Sequence, residues 1–381
     1  MYFEPTQEQR HLHDSLDKAM KKLITPEYLR RMDEEAVYPY DAYKAWVELG
    51  LTGLGLGPEF GGYGGTIEDL ALVSEQLGYW SYDLATAYMV PLFTGQTLLK
   101  HGRNEQKNEF LPKLVDGSLR MSVCISEPSA GSDVSAIKTK AVREGDQWII
   151  SGQKLWTTAG GAKDTMLQVY AITDPDVSTK KGLSIFLIEN NTPGVVWKKN
   201  EMLGRRGVGT YEIFFDQVRV SDERILGQRN EGWKYLLSGL QVERALTSSA
   251  YSGASQSVVD MATHYASERQ QFSKPIIEFQ AIAHMLADMQ TEVTASRLLA
   301  YDAAGRLTRG LDALREVSMA KLFGSETYVK VANQGMQIMG AYGYSMEYAM
   351  QRHFRDARST TIGAGSSQIQ RNTIASTMRQ N

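Results

Sequence analysis

Apolar positions recur with a helical period along the first third of the chain. Over residues 7–23, Leu12, Leu16, Met20 and Leu23 fall on one face, and over 67–77 so do Leu70, Val73 and Leu77. Shorter helices are predicted over 43–51, 86–101 and 106–115, and a glycine-dense stretch over 53–65 interrupts the series. From about residue 119 to 227 the pattern changes. Short β-rich runs at 121–125, 147–151, 165–172, 183–189, 195–198 and 211–220 are separated by Gly, Pro, Asp and Asn, which predicts an antiparallel β domain. After Gly227 the helical period returns, with Ile282, Leu286, Met289 and Val293 stepping by four, three and four. Three long patterns (232–271, 279–309 and 312–340) would each span roughly 40 Å or more at 1.5 Å per residue. The predicted architecture is α+β and multidomain: an N-terminal α-helical domain over 1–118, a central antiparallel β domain over 119–229, and a C-terminal helical bundle over 230–381.

Composition narrows the class. Hydrophobic residues make up 42% and charged residues 22%, an ordinary globular profile, and the net charge of −3 argues against a nucleic-acid binder. No apolar run approaches the ~18 residues of a membrane span. The opening MYFEPTQEQRHLHDSL reads as neither a signal nor a transit peptide, so a cytoplasmic location is expected. The lone Cys124 excludes internal disulfides and fits a reducing compartment. His11 and His13 fit a solvated helix face, and the six histidines have no metal-ligand spacing, so no metal is expected.

Four stretches carry candidate chemistry. Thr360 to Arg371 joins a β-branched run to Gly363 and Gly365, after which Ser366 or Ser367 is placed to cap a last helix. It lacks the third glycine of a dinucleotide fingerprint, and only 16 residues follow Gly365, too few for a Rossmann unit. Ser122 to Asp133 runs from a strand into a loop of small polar residues that offers N–H groups and hydroxyls to an anion or a planar ring; alone, it reads equally as a turn. Gly152 to Ala162 holds Trp156 between a strand and a glycine turn, suited either to a flat cofactor or to the core. Glu268 to Ile276 follows the first bundle helix, where Arg269 fits a phosphate clamp or an ordinary helix end.

Taken together, in this order and spacing, these stretches resemble the acyl-CoA dehydrogenase family, over essentially the whole chain. Ser126-Glu127-Pro128-Ser129-Ala130-Gly131-Ser132-Asp133 matches the family's T-E-P-x-A-G-S-D, and Gly152-Gln153-Lys154 with Trp156-Thr157-Thr158 matches G-x-K-x-W-I-[ST]. Arg269 to Phe272 matches R-x-x-F-G with Ser273 in place of the glycine, Gln337 to Tyr344 matches Q-x-x-G-G-x-G-Y with Ala341 in place of one glycine, and Gln368 to Arg371 matches the closing Q-I-Q-R. The resemblance implies a C-terminal four-helix bundle and an FAD cofactor between β domain and bundle. It implies that Ile125, Ser126, Trp156 and Thr158 face the flavin ring. Gly131 and Ser132 would lie near the pyrophosphate and the substrate's entry. Arg269, Phe272, Gln337 and Gly340 would come from a neighbouring subunit, in a homotetramer or homodimer, and Ser366 and Gln368 would close the site.

The implied reaction is α,β-desaturation of an acyl-CoA thioester: a carboxylate takes the α proton while the β hydrogen leaves as hydride to flavin N5, with electron-transfer flavoprotein as acceptor. In many members the base is a Glu in the closing loop, where this chain has Ala364, whose backbone N–H still suits the thioester oxygen. Another branch, including the isovaleryl- and long-chain-type enzymes, places Glu-Arg on the first bundle helix. Glu243-Arg244 stands there, making Glu243 the expected base and Arg244 a contact for the CoA part. Ala245, Ser248 and Ser249 are expected to leave room for an acyl chain, residues 79–91 to contribute the pocket floor, and Arg206 to have a structural role or one at the CoA mouth. Alternatives within the fold are an enoyl-CoA reductase or a non-redox lyase. A non-catalytic helical interaction protein would be colourless.

Overall fold

The structure, a computed structural model, describes residues 5–379; residues 1–4 and 380–381 of the expected terminal domains lie outside the described residues. Six helices come first: α1 (Gln7–Leu23), α2 (Pro26–Glu34), α3 (Tyr40–Glu48), α4 (Ile67–Trp80), α5 (Tyr82–His101) and α6 (Asn104–Val115). Reciprocal capping boxes open α1 (Thr6 with Gln9) and α4 (Thr66 with Asp69), satisfying N–H groups that the helix leaves unpaired. The unforeseen α2 is only nine residues long and starts on Pro26 under a Thr25 cap. Helix α5 continues through Pro91. The proline has no N–H for the Ala87 carbonyl, and the Tyr38 hydroxyl donates to that oxygen instead at 3.2 Å.

The middle of the chain forms one seven-stranded sheet from β1 (Arg120–Cys124), β2 (Lys140–Glu144), β3 (Gln147–Thr158), β4 (Thr165–Ile172), β5 (Leu183–Glu189), β6 (Val195–Lys199) and β7 (Thr210–Ser221), with a single helical turn, α7 (Thr179–Gly182), before β5. The order is β1-β4-β2-β3-β7-β6, and β5 pairs with β4. Most pairings are antiparallel, as expected, but β1 runs parallel to β4 from Arg120↔Thr165 to Cys124↔Val169, and β2 meets β4 in parallel at Lys140↔Ile172. Period-two patterning reports which face a residue occupies, not the direction of its neighbour, so this correction lay beyond the sequence. Strand β2 escaped the pattern because only Ala141 of its five residues is buried. Strand β3 is longer than expected, and irregularities between Ile150 and Gly152 and between Lys154 and Thr157 break its alternation.

The last part holds α8 (Gly232–Glu268), a hairpin of β8 (Gln270–Gln271) and β9 (Lys274–Pro275), α9 (Gln280–Thr308), α10 (Leu314–Met339), α11 (Ala341–Tyr344), α12 (Met350–Thr360) and α13 (Ser367–Met378). Helices α8, α9 and α10 pack on one another, and α13 lies along α10 as the fourth member, with α12 beside it. Helix α4 joins the bundle through glycines: a Cβ on Gly253 would stand 1.8 Å from the Glu75 carbonyl oxygen, and one on Gly78 would stand 2.3 Å from that of Ala250. Arg103 and Gln106 of the α6 entry donate to the carbonyls of Glu223 and Ile225, fixing the passage from sheet to bundle. No helix among the described residues is long and apolar enough to cross a membrane.

Candidate active site

Leu236, Gly239, Leu240 and Glu243 share one face of α8, at spacings that bring them into line. Opposite them stand Phe93, Thr94 and Thr97 of α5, Val123 and Ile125 at the end of β1, and Gln168 and Tyr170 of β4. These residues line a small cavity. Glu243 is partly buried at its edge. Burial pushes its carboxyl above the ordinary range, while the charges of Arg244, Lys321 and Arg205 pull the other way.

The closing loop meets this carboxylate through its neighbours. Arg244 is buried, and its Nε donates to the Ala364 carbonyl at 3.4 Å. Lys321 of α10, fully enclosed, donates to the carbonyls of Thr360 at 2.9 Å and Gly365 at 2.7 Å. Gln370 donates to the carbonyls of Ala364 and Gly365, each at 3.0 Å. The carbonyls of Thr360, Ala364 and Gly365 are therefore held by buried donors, and Ala364 adopts a left-handed φ of 54°. Its N–H donates to nothing among the described residues. Ser366 caps α13 by accepting from the Ile369 N–H, and Gln368 is exposed. Burial and the Arg244 charge lower the Lys321 ammonium to about 8. Neither Lys321 nor Gln370 was anticipated. A lysine on the small, apolar face of Val317, Ala320 and Gly324 was the signal for the first.

On the sheet side, the Ser126 carbonyl accepts from the Leu155 N–H at 2.9 Å, tying the loop after β1 to β3. An enclosed ion pair reinforces the tie. Lys154 Nζ donates to Glu127 Oε1 at 2.9 Å and to the Ile125 carbonyl at 3.0 Å, and Glu127 also accepts from the Lys138 and Thr139 N–H groups. Thus the Glu of one expected motif and the Lys of another form a single structural unit. Beyond it, Trp156 takes a left-handed φ of 66° that turns its ring outward, 54% exposed, two residues before the half-buried Thr158. Thr158 accepts from Arg205 at 3.3 Å, and the Arg205 N–H donates to Asp356 at 2.6 Å. Gly131 and Ser132 are exposed at the tip of the loop.

Other expected residues stand apart. Arg269 ends α8 roughly 39 Å beyond Glu243 at 1.5 Å per residue, over the Tyr342 ring that follows Gly340. Phe272 is 90% exposed in the β8–β9 hairpin, and Gln337 and Gly340 are exposed as well. Within one chain these four lie far from the cavity.

Two expectations about space are corrected. Ala245 packs against Ala303, Val317 and Ala320, and the hydroxyls of Ser248 and Ser249 donate back to the carbonyls of Arg244 and Ala245, so these small residues make helix contacts and not acyl room. The cavity opens on the opposite face of α8, and its α5 wall is Phe93, Thr94 and Thr97, beyond the stretch 79–91. Among the described residues the Arg206 side chain hydrogen-bonds the Glu34 carbonyl, at 3.4 Å, while its neighbour Arg205 is the one engaged beside the site.

An outward-turned indole, a nearby threonine, and a pinned loop presenting Ile125 and Ser126 form a wall suited to a flat, hydrogen-bonding ring, so the residues fit FAD. Comparison with known proteins places this arrangement. The chain matches the acyl-CoA dehydrogenase N-terminal domain over 6–118, the middle domain over 122–218 and the C-terminal domain over 230–379. It is 35% identical over 377 residues to the probable acyl-CoA dehydrogenase YngJ of Bacillus subtilis (strain 168), covering 98% of this chain and 99% of that protein. It is 34% identical over 358 residues to the caffeyl-CoA reductase-Etf complex subunit CarC of Acetobacterium woodii, covering 93% and 94%. Among solved structures, the prolyl acyl carrier protein oxidase AnaB superposes with a TM-score of 0.93 at 30% identity, covering 98% of this chain and 99% of that one. The chain belongs to the acyl-CoA dehydrogenase family. It is an FAD-dependent oxidoreductase of that family, whose solved members alike in fold include an FAD complex.

Proposed function

We propose that this chain desaturates an acyl thioester with Glu243 as the base and the Ala364 N–H as a donor to the thioester oxygen. The observation that carries the reading is the meeting of the two groups: a carboxylate raised by burial at the edge of the cavity, and beside it a loop in which the Ala364 and Gly365 carbonyls are held while the Ala364 N–H has no partner among the described residues. A base with a raised pKa takes an α proton with more driving force than an ordinary carboxylate. A preorganised N–H stabilises the oxygen as charge grows on it. FAD, when bound, supplies the hydride acceptor. Trp156 and Thr158, with Ile125 and Ser126, would hold its ring, Gly131 and Ser132 would lie towards its pyrophosphate, and Arg244 would meet the carrier end of the substrate, with Ser366 and Gln368 at the lid. Arg269, Phe272, Gln337 and Gly340, too distant to serve their own site, would serve a second copy's, in a homodimer or homotetramer. Electron-transfer flavoprotein is the proposed acceptor, in keeping with the relative from a reductase-Etf complex. The carrier is CoA. A phosphopantetheine arm on a carrier protein has the same reacting end, and the likeness to a carrier-protein oxidase makes it the second arm of the test.

The test is Glu243→Gln, mixed anaerobically with acyl-CoA and with the same acyl group on a holo-carrier protein. It should keep bound FAD and lose flavin bleaching by several orders of magnitude. Bleaching at the wild-type rate would overturn the assignment. Reoxidation of reduced wild-type flavin by enoyl-CoA, with no bleaching by the saturated thioester, would identify the reverse reaction.

A further inference from the structure

Nearly half of the side chains around the acyl cavity are polar: Thr94, Thr97, Gln168, Tyr170 and Glu243. A hydrocarbon chain has nothing to offer such a wall, and each buried donor left unmet costs about 1–3 kcal/mol. Three of the five are committed within the protein. The Thr94 hydroxyl donates to the Val90 carbonyl at 2.6 Å, the Thr97 hydroxyl to the Phe93 carbonyl at 3.3 Å, and the Gln168 amide to the Thr94 carbonyl at 2.9 Å. Glu243 is the base. Tyr170 remains: it is 2% exposed and lines the cavity, and its hydroxyl makes no hydrogen bond among the described residues. A phenol hydroxyl that no protein group engages, at the wall of a substrate cavity, is a binding group available to an acceptor.

We propose that the acyl group of the substrate is short and carries an uncharged hydrogen-bond-accepting heteroatom, which the Tyr170 hydroxyl binds. The inference rests on the thioester reading above. Packing supports a short group, because the helices close together at one wall, where a Cβ on Gly239 would stand 2.7 Å from Thr97 Oγ1. Charge supports it too. No Lys, Arg or His lines the cavity, so an acyl group ending in a carboxylate would be buried without a cation and next to Glu243. Burial and the facing Glu243 charge keep the Tyr170 hydroxyl protonated, and therefore a donor.

Binding is measured in the Glu243→Gln background, where ligands bind without turnover, with and without Tyr170→Phe, both proteins first matched for FAD content. Two near-isosteric pairs are compared by their perturbation of the flavin spectrum: pentanoyl-CoA with 3-methoxypropanoyl-CoA, and 4-methylpentanoyl-CoA with 4-oxopentanoyl-CoA. In at least one pair the oxygen-bearing ligand should bind about tenfold tighter, and Tyr170→Phe should abolish that advantage. Equal or tighter binding of the hydrocarbon in both pairs, or an advantage that survives Tyr170→Phe, would overturn the inference. Bleaching of the wild-type flavin by any of the four ligands reads the thioester chemistry separately. If none of the four binds, the inference falls together with that reading.

Discussion

Lys154→Met tests whether the two sequence motifs work as one unit. In the folded protein Lys154 has no solvent exposure, and its ammonium serves both Glu127 and the Ile125 carbonyl. The variant leaves Glu127 its two N–H donors, from Lys138 at 2.7 Å and Thr139 at 2.9 Å, but removes the cation. Breaking an enclosed pair from one side costs about 3–5 kcal/mol, because the surviving charge stays buried. The penalty should depend on pH, and its sign can be worked out. In the wild type, burial alone would raise the Glu127 carboxyl, but Lys154, Thr139 and Lys138 together hold it below its ordinary range. It therefore adds stability above its unfolded pKa, and that contribution is lost as pH falls through the lower folded value. Without Lys154, burial dominates and the folded pKa rises above the unfolded ~4.3. The penalty is then full at high pH and shrinks as pH falls through the raised value, by at most about 1.4 kcal/mol per pH unit.

Urea denaturation of both proteins from pH 5.5 to 8, at one saturating excess of FAD, measures the difference. The expected deficit is about 3–5 kcal/mol at pH 8 and visibly smaller at pH 5.5. Adding Glu127→Gln should remove the pH dependence and recover part of the deficit, since no charge is then stranded. A deficit below about 1 kcal/mol, or one that is constant across the range, would refute the reasoning. FAD affinity should fall in Lys154→Met, because the pair holds Ile125 and Ser126 against the strand that presents Trp156.

Two further outcomes follow from the packing. Lys321→Met should keep FAD but lower kcat/KM for the thioester, since the Thr360 and Gly365 carbonyls lose their donor; with one fewer cation opposing burial, the Glu243 acid limb of the pH profile should move upward, and an unmoved limb would show that Lys321 does not act on the base. Gly253→Ala places a carbon 1.8 Å from the Glu75 oxygen and should lower the thermal midpoint by pushing α4 off α8, whereas Gly131→Ala, with nothing within 4 Å of the added carbon, should leave that midpoint unchanged.

The helices and most strands were legible because burial writes a period into the chain: β4 and β5 fall at 165–172 and 183–189 as expected. What pattern could not carry was direction and partnership. The parallel β1–β4 pairing leaves the same alternation as an antiparallel one. Arg205 and Arg206 are indistinguishable as letters, and contacts distant in sequence, with Thr158 and with Asp356 some 150 residues later, draw Arg205 into place. Ala245, Ser248 and Ser249 were read as space because small residues vacate volume. The structure fills that volume with other helices, whose backbones approach because the side chains are small. Glu127 and Lys154 were each quoted within a motif, but 27 residues separate them and nothing local says that they touch.

On the proposed assignment of Glu243, electrostatics explains why a base on α8 and a base in the closing loop are alternatives and not a pair. Positions 243 and 364 belong to two walls of one site, since Arg244, next to Glu243, donates to the Ala364 carbonyl. Burial already presses on a single carboxylate there, with Arg205, Arg244 and Lys321 working against it. Lys321 is itself strained towards neutrality, lowered to about 8 by burial and by Arg244. A second carboxylate at 364 would share these cations with the first, and two acids in one enclosed space separate in pKa, one of them becoming protonated near neutral pH. With the carboxylate supplied from α8, the loop is left to its backbone: Ala364 keeps a strained φ and a free N–H, and its neighbours' carbonyls absorb the donors that a loop glutamate would otherwise compete for.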